Sequence, residues 1–267
     1  MNALLKRFAN YLSVAKMLTR GDVRIGSVVL YPVNRRLLRR NRLTLQNGIK
    51  LVAPIQEPLL SLFQEVWVQR HYLPPGYSIA QGDVIIDIGA HVGTFTVWAA
   101  SANSSAHVIA VEPFAPILKY LRQNVEANHL ANVTIVEACC GGFEGSVELY
   151  ARGPAARNTI FKCDNYHSDF QVIARSKVIT LDRLFSDLTI EQCDLLKLDC
   201  EGAEYDILYS ARQETLDRIR RIAMEYHMGM NQHSPDKLAA QMERWGFVVD
   251  LQTPLDEESG YLLATRP

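Results

Sequence analysis

Apolar residues follow two rhythms along this chain, and the switch between them is sharpest from Gly82 to Ala100, GDVIIDIGAHVGTFTVWAA. Val84, Ile85, Ile86 and Ile88 form a continuous β-branched run, as a strand covered on both faces requires. Gly89 and Gly93 break it, and Thr94 to Ala100 resume at helical spacing, so main-chain N–H groups at a helix start face a crevice. Further apolar runs predict strands at VIAV before Glu112, at Val133 to Cys139, at Cys193 to Asp199 (CDLLKLD) and at Ile219 to Tyr226. Helical spacing covers Ala115 to Leu130, opened by Pro113 and Pro116, a segment after Gly202, and residues 234–245. Phe247–Leu251 and Tyr261–Thr265 close the chain as two strands with no helix between them. The pattern is α/β: a mostly parallel sheet with an antiparallel edge strand.

Upstream, Leu59, Leu60, Leu62, Phe63, Val66 and Trp67 predict a helix over Glu57 to Arg70, ending before His71-Tyr72 and the Pro74-Pro75-Gly76 break. Arg42–Gln46 and Ile49–Ala53 read as a hairpin across Asn47-Gly48. In the first twenty residues Leu4, Leu5, Phe8, Leu12 and Ala15 share one helical face, suited to a lid, a dimer contact or a membrane surface. The expected division is an N-terminal helical and hairpin extension and lid (1–78) and a cofactor-binding domain (79–267). The latter carries a β-rich insertion at 143–180, where Ser146–Tyr150 and Val172–Ile179 flank a polar stretch with Asn158, Asn165, His167 and Ser168.

Chemistry enters at the strand tips. Asp87 ends the first strand of this sheet, where a carboxylate repels a pyrophosphate but suits a cationic amino-acid moiety. Asp-x-Gly-x-x-x-Gly, with His91 at its centre, is not the Gly-x-Gly-x-x-Gly of dinucleotide sites. Glu112, 19 residues after Gly93, is placed to accept hydrogen bonds from ribose hydroxyls. The pair favours S-adenosylmethionine; a non-catalytic nucleoside-binding module and an NAD-dependent oxidoreductase are the alternatives, the latter disfavoured by the glycine spacing.

The 267 residues, 48% of them apolar, can bury a sizeable core, and a net charge of −1 argues against a general nucleic-acid binder. Five cysteines without metal-ligand spacing read as reduced thiols of a cytoplasmic protein, and no apolar run is long enough for a membrane span. Arg35, Arg36, Arg39, Arg40 and Arg42 form a basic cluster, read as a solvated face or as an attractor for an anionic acceptor. Oligomeric state is open; a homo-oligomer is compatible with the chain.

The pieces VIIDIGAHVGTFT, VEPFAPILKYLRQNVEAN, LLKLDCEGAEYDIL and Glu225-Tyr226-His227, with FQEVWVQRHY upstream, make the chain resemble the FkbM family of S-adenosylmethionine-dependent methyltransferases over about residues 42–230. His91 stands where that family more often has asparagine. The resemblance implies a Rossmann-like class I methyltransferase sheet and O-methylation of a sugar or secondary-metabolite hydroxyl. The residues also favour oxygen, since Asp199-Cys200-Glu201-Gly202 replaces the Asn/Asp-Pro-Pro-aromatic turn that holds a flat base. The expected cofactor residues are Asp87, Gly89, His91, Gly93, Thr94, Glu112, Pro113, Ala138 and Asp199. His227 is the expected general base, oriented by Glu225 or Asp199. A rival mechanism places Mg²⁺ on Asp199 and Glu225; the metal-free one is favoured.

Overall fold

The computed structural model describes Tyr31 and residues 38–74, 77–152, 157–159, 171–228, 232–251 and 259–267. The expected N-terminal amphipathic helix lies outside the described residues, as do Arg35, Arg36, Cys163, Asn165, His167 and Ser168.

The hairpin forms as the Asn-Gly signal predicts, with β1 (Arg42–Thr44) antiparallel to β2 (Lys50–Val52) and Gly48 at φ +92° in the turn. The segment predicted as one uniform helix is α1 (Leu59–Phe63) running into a π-helical turn, Gln64–Gln69, which ends at Arg70 in the left-handed region. That wider turn brings Glu65 and Val66 to the wall of the cavity described below, while Trp67 Nε1 donates to the Thr94 carbonyl at 3.2 Å.

Strands and helices then alternate: β3 (Val84–Ile88), α2 (Thr94–Ala102), β4 (His107–Val111), α3 (Ala115–Ala127) and β5 (Val133–Val136). Next come β6 (Cys139–Cys140), β7 (Gly145–Arg152), β8 (Arg157–Thr159) and β9 (Gln171–Ile179), followed by α4 (Leu181–Asp187) and β10 (Leu195–Leu198). The chain closes with α5 (Glu204–Ser210), α6 (Gln213–Leu216), β11 (Arg221–His227), α7 (Pro235–Arg244), β12 (Val248–Leu251) and β13 (Ser259–Thr265).

Seven strands make the central sheet, in the order β12-β13-β11-β10-β3-β4-β5. It is the α/β, Rossmann-like class I methyltransferase sheet expected, parallel from β5 to β11, and its antiparallel strand β13 lies one position in from the edge. Burial explains the order, because β13 is buried along nearly its whole length, whereas Val248 of the edge strand is 66% exposed. The chain reverses direction of winding between β3 and β10, and ligands of open α/β sheets bind outside the carboxyl ends of such a pair. Ile85, Ile86 and Ile88 are at most 1% exposed, each contributing roughly 1.5–3 kcal/mol by burial.

The third strand is shorter than its apolar run, since β6 leaves the main sheet and pairs with β9 in a four-stranded sheet ordered β6-β9-β7-β8. Helix α4 escaped the pattern. It has only seven residues, held by Leu181, Leu184 and Phe185 in the core and by Thr180, whose hydroxyl accepts from Arg183 N at 3.2 Å. The hairpin is tied to α3 by amides: fully buried Asn124 accepts from Val52 N at 2.8 Å and donates to the carbonyls of Val52 (2.8 Å) and Val92 (2.7 Å). Among the described residues no helix is long and apolar enough to cross a membrane.

Candidate active site

At the carboxyl edge, β3 enters a turn that needs glycine twice. Gly89 sits at φ +76°, where a Cβ would lie 1.8 Å from the Asp199 carbonyl oxygen, so β3 and β10 approach too closely for any side chain. Gly93, at φ +84°, starts α2. Between them His91, also left-handed at φ +53°, points its main-chain N–H at Glu112 Oε2 (2.9 Å), and Phe114 N donates to Glu112 Oε1 at 2.9 Å. One carboxylate at the tip of β4 therefore orders the turns after both strands. Burial raises its pKa, against the pull of His91 and the two main-chain donors.

These turns border a cavity of about 360 Å³. Of the residues singled out by sequence, Gly89, His91, Thr94, Glu112, Pro113, Ala138, Asp199, Glu225 and His227 line it. Gly93 and Asp87 lie behind the wall. Asp87 is fully buried, and the cation it meets belongs to the chain: Lys197 Nζ is 3.0 Å from Oδ1, and Thr96 donates to Oδ2 at 2.6 Å. Lys197 also donates to the Gly89 carbonyl (3.0 Å), pairs with Asp199 (3.6 Å) and lies 5.2 Å from the Tyr72 ring centroid. Asp87 thus positions Lys197 and the glycine turn rather than a ligand.

Asp199 and Glu225 share a hydroxyl: Tyr72 Oη lies 2.9 Å from Asp199 Oδ2 and 3.2 Å from Glu225 Oε2. Burial pushes Asp199 upward, but Lys197, then His227 and the Tyr72 hydroxyl, hold it below the usual carboxylate range. Glu225 goes the other way, to about 8, through burial, the Asp199 charge and Glu65. His227 donates from Nδ1 to Glu204 at 3.0 Å, while Nε2 faces Glu201 at 3.8 Å and Glu225 at 3.9 Å. Burial lowers its pKa, yet Glu204, Glu201 and Asp199 overcome that and raise it to about 10. An imidazole that keeps its proton at neutral pH is a poor acceptor of another, so these surroundings weigh against the general base expected at His227.

Lys197 and Tyr72 escaped the sequence reading. The lone lysine inside LLKLD was a visible signal, because a charge in a doubly covered strand demands a buried partner. Glu204 caps the turn after β10 by accepting from Cys200 N (2.8 Å) and Gly202 N (2.9 Å). Cys200 lines the cavity, but burial and Glu204 push its thiol well up, which unsuits it as a nucleophile. Arg39, Arg40 and Arg42 are exposed and not part of the cavity wall. Among the described residues no group of three His, Cys, Asp or Glu is arranged to hold a metal ion.

Six carboxylates line the cavity (Glu57, Glu65, Glu112, Asp199, Glu201, Glu225) against three bases. Each base is committed within the wall: His91 to Glu57 at 3.3 Å, Lys197 to Asp87, His227 to Glu204. Such a surface suits a ligand carrying positive charge.

The sequence model of the methyltransferase FkbM domain matches residues 87–249. Over 231 residues the chain is 28% identical to AMB antimetabolite synthetase AmbE of Pseudomonas aeruginosa, covering 72% of this chain but only 11% of that protein. It is 24% identical to 31-O-demethyl-FK506 methyltransferase FkbM of Streptomyces tacrolimicus over 62% of this chain and 74% of the relative. A crystal structure of methyltransferase FkbM from Methylobacillus flagellatus superposes with a TM-score of 0.49 at 15% identity, over 76% of this chain and 47% of that one.

Proposed function

The chain belongs to the FkbM methyltransferase domain family, and from that premise we propose that it transfers the methyl group of S-adenosylmethionine to a hydroxyl oxygen of a small-molecule acceptor. The observation that carries the reading is Glu112: buried at the tip of β4, it accepts a main-chain N–H at each oxygen, has further acceptor capacity and lines the cavity. The residues fit the donor. Glu112 would take the ribose hydroxyls, Pro113, Ala138 and Cys139 would flank the adenine, and Asp199 with the excess of acidic groups would favour the cationic amino-acid end. When bound, the donor supplies a methyl group on a positively charged sulfur.

The chain's own residues do the rest. Methyl transfer is an in-line displacement, so positioning dominates, with a base needed as the acceptor oxygen loses its proton. Glu225, its pKa near 8, suits that task, and His227 keeps positive charge beside it. Lys197 fixes Asp87, Asp199 and the Gly89 carbonyl in one cluster. An oxygen acceptor agrees with Asp199-Cys200-Glu201-Gly202, which has no rigid proline-aromatic shelf for a base.

The test is incubation of the full chain with isotopically labelled S-adenosylmethionine and fractionated small-molecule extracts, read by mass spectrometry. Label on an oxygen supports the reading. Label on nitrogen or carbon replaces the acceptor class, and binding of S-adenosylhomocysteine without transfer would leave a non-catalytic binding module.

A further inference from the structure

The Tyr72 hydroxyl has one proton and two carboxyl neighbours, Asp199 Oδ2 at 2.9 Å and Glu225 Oε2 at 3.2 Å. Asp199, drawn toward Lys197, takes that proton in the shorter hydrogen bond. The longer contact then sets a second carboxyl oxygen against a hydroxyl whose proton is already engaged, a crowding that a proton on Glu225 relieves, while Tyr261 donates to the same Glu225 oxygen at 3.4 Å. Burial, Asp199 and Glu65 favour the protonated form, and they outweigh His227 and the Tyr72 hydroxyl, which oppose it. Glu225 faces Asp199 just past the tip of β10, His227 on its own strand, Tyr261 from β13, Glu65 from the π-helical turn and Tyr72 beyond it. Carboxylates outnumber the cations there, so a neutral Glu225 relieves repulsion.

Building on the methyl-donor reading, we propose that Asp199, Tyr72 and Glu225 form a charge-sensing proton switch, in which Glu225 holds a proton in the ligand-free cavity and releases it to solvent when a sulfonium cation enters. Release leaves Glu225 ionised, which arms it as the base. During transfer the acceptor O–H proton passes to Glu225, the new O–CH₃ bond forms, and the S–CH₃ bond breaks with its electron pair remaining on sulfur. The sulfur is then neutral, so Glu225 keeps the proton until another cation arrives. The base is thus ready only while methyl donor is present.

The experiment is titration calorimetry of the full chain near pH 7.5 in buffers of different ionisation enthalpy, counting protons exchanged on binding S-adenosylmethionine and S-adenosylhomocysteine, which differ by the charged methyl group. The expected result is a larger release with S-adenosylmethionine, by a substantial fraction of one proton. That excess disappears in Glu225→Gln and persists in His227→Gln, and in Tyr72→Phe the pH of half-maximal release moves upward because the ionised Glu225 loses a hydrogen-bond donor. Infrared difference spectra with ¹³C-labelled glutamate give a readout in the unaltered chain: a carboxylic-acid band lost on adding S-adenosylmethionine and kept with S-adenosylhomocysteine. Equal proton counts for both ligands, an excess that survives Glu225→Gln, or an unchanged infrared band overturns the switch while leaving donor binding intact. No heat with either ligand from folded protein overturns the donor reading and the switch together.

Discussion

The two ends of the central sheet use the same residue types and do opposite things with them. At the amino end, Asp83 accepts from Ala80 N at 2.8 Å and pairs with Arg221 at 3.3 Å. Asp194 there accepts from Val84 N (2.9 Å) and Gln192 (2.8 Å) and pairs with Arg220 at 3.4 Å. Each carboxylate meets a main-chain donor and a cation. At the carboxyl end, carboxylates outnumber cations, Asp199 and Glu225 divide one hydroxyl, and Glu225 and His227 carry pKa values near 8 and near 10. Matched charges hold strands in register, whereas crowded ones keep protons at unusual values, and unusual protonation is what acid–base chemistry requires.

The comparison breaks most visibly at Glu225. Glu225→Gln keeps the shape of the carboxyl end and removes the proposed base, so kcat should fall about 10²–10⁴-fold with S-adenosylhomocysteine affinity little changed; steady-state kinetics on the identified acceptor alongside calorimetry reads both. Lys197→Met should follow, since it strands the fully buried Asp87 without a cation and costs about 3–5 kcal/mol in urea denaturation. A loss below about 1 kcal/mol would contradict the view that Lys197 is the partner that keeps Asp87 in place.

Proton linkage gives a subtler contrast. His227 binds its proton more tightly folded (about 10) than unfolded, where an ordinary histidine titrates near 6.5, so the native state holds the extra proton between those values. Its contribution is complete below about pH 6.5 and is lost as pH rises toward 10. Melting temperature should therefore decline across that window more steeply in the unaltered chain than in His227→Gln; parallel curves would remove the claim of a protonated His227. At the amino end Arg220→Ala, on a side chain 65% exposed, should cost only about 0.2–1 kcal/mol. Smallest of all is chelation: on the proposed metal-free mechanism EDTA should leave turnover unchanged, and its loss would favour an ion on Asp199 and Glu225.

What could be read from sequence was what neighbours in the chain determine. Ile85, Ile86 and Ile88 announce a strand covered on both faces, Gly89 and Gly93 announce the turn, and Asp199 and Glu225 end apolar runs that topology then brings to one edge. The missing parts depend on distant partners. Tyr72 reaches Asp199 across 127 positions and Glu225 across 153, distances over which no local pattern speaks. The expectation of a base at His227 comes from an ordinary pKa near neutral, whereas the buried Glu204, 23 residues away, is the largest of the charges that raise it. Asp87 was assigned a ligand's cation for the same reason, since its true partner lies on β10. The π-helical turn has the same apolar spacing as an ordinary helix over so few residues, so periodicity does not reveal it.

The claim on which all this rests is that the carboxyl-edge cavity holds an adenosyl amino acid through Glu112. Titrating the full chain and its Glu112→Ala variant with S-adenosylhomocysteine tests it directly. The account predicts one binding site per chain in the unaltered protein and affinity about 10–100-fold weaker in the variant, the loss of charge-assisted hydrogen bonds worth roughly 1.5–3 kcal/mol. Absence of binding, or equal affinity in both proteins, would contradict it.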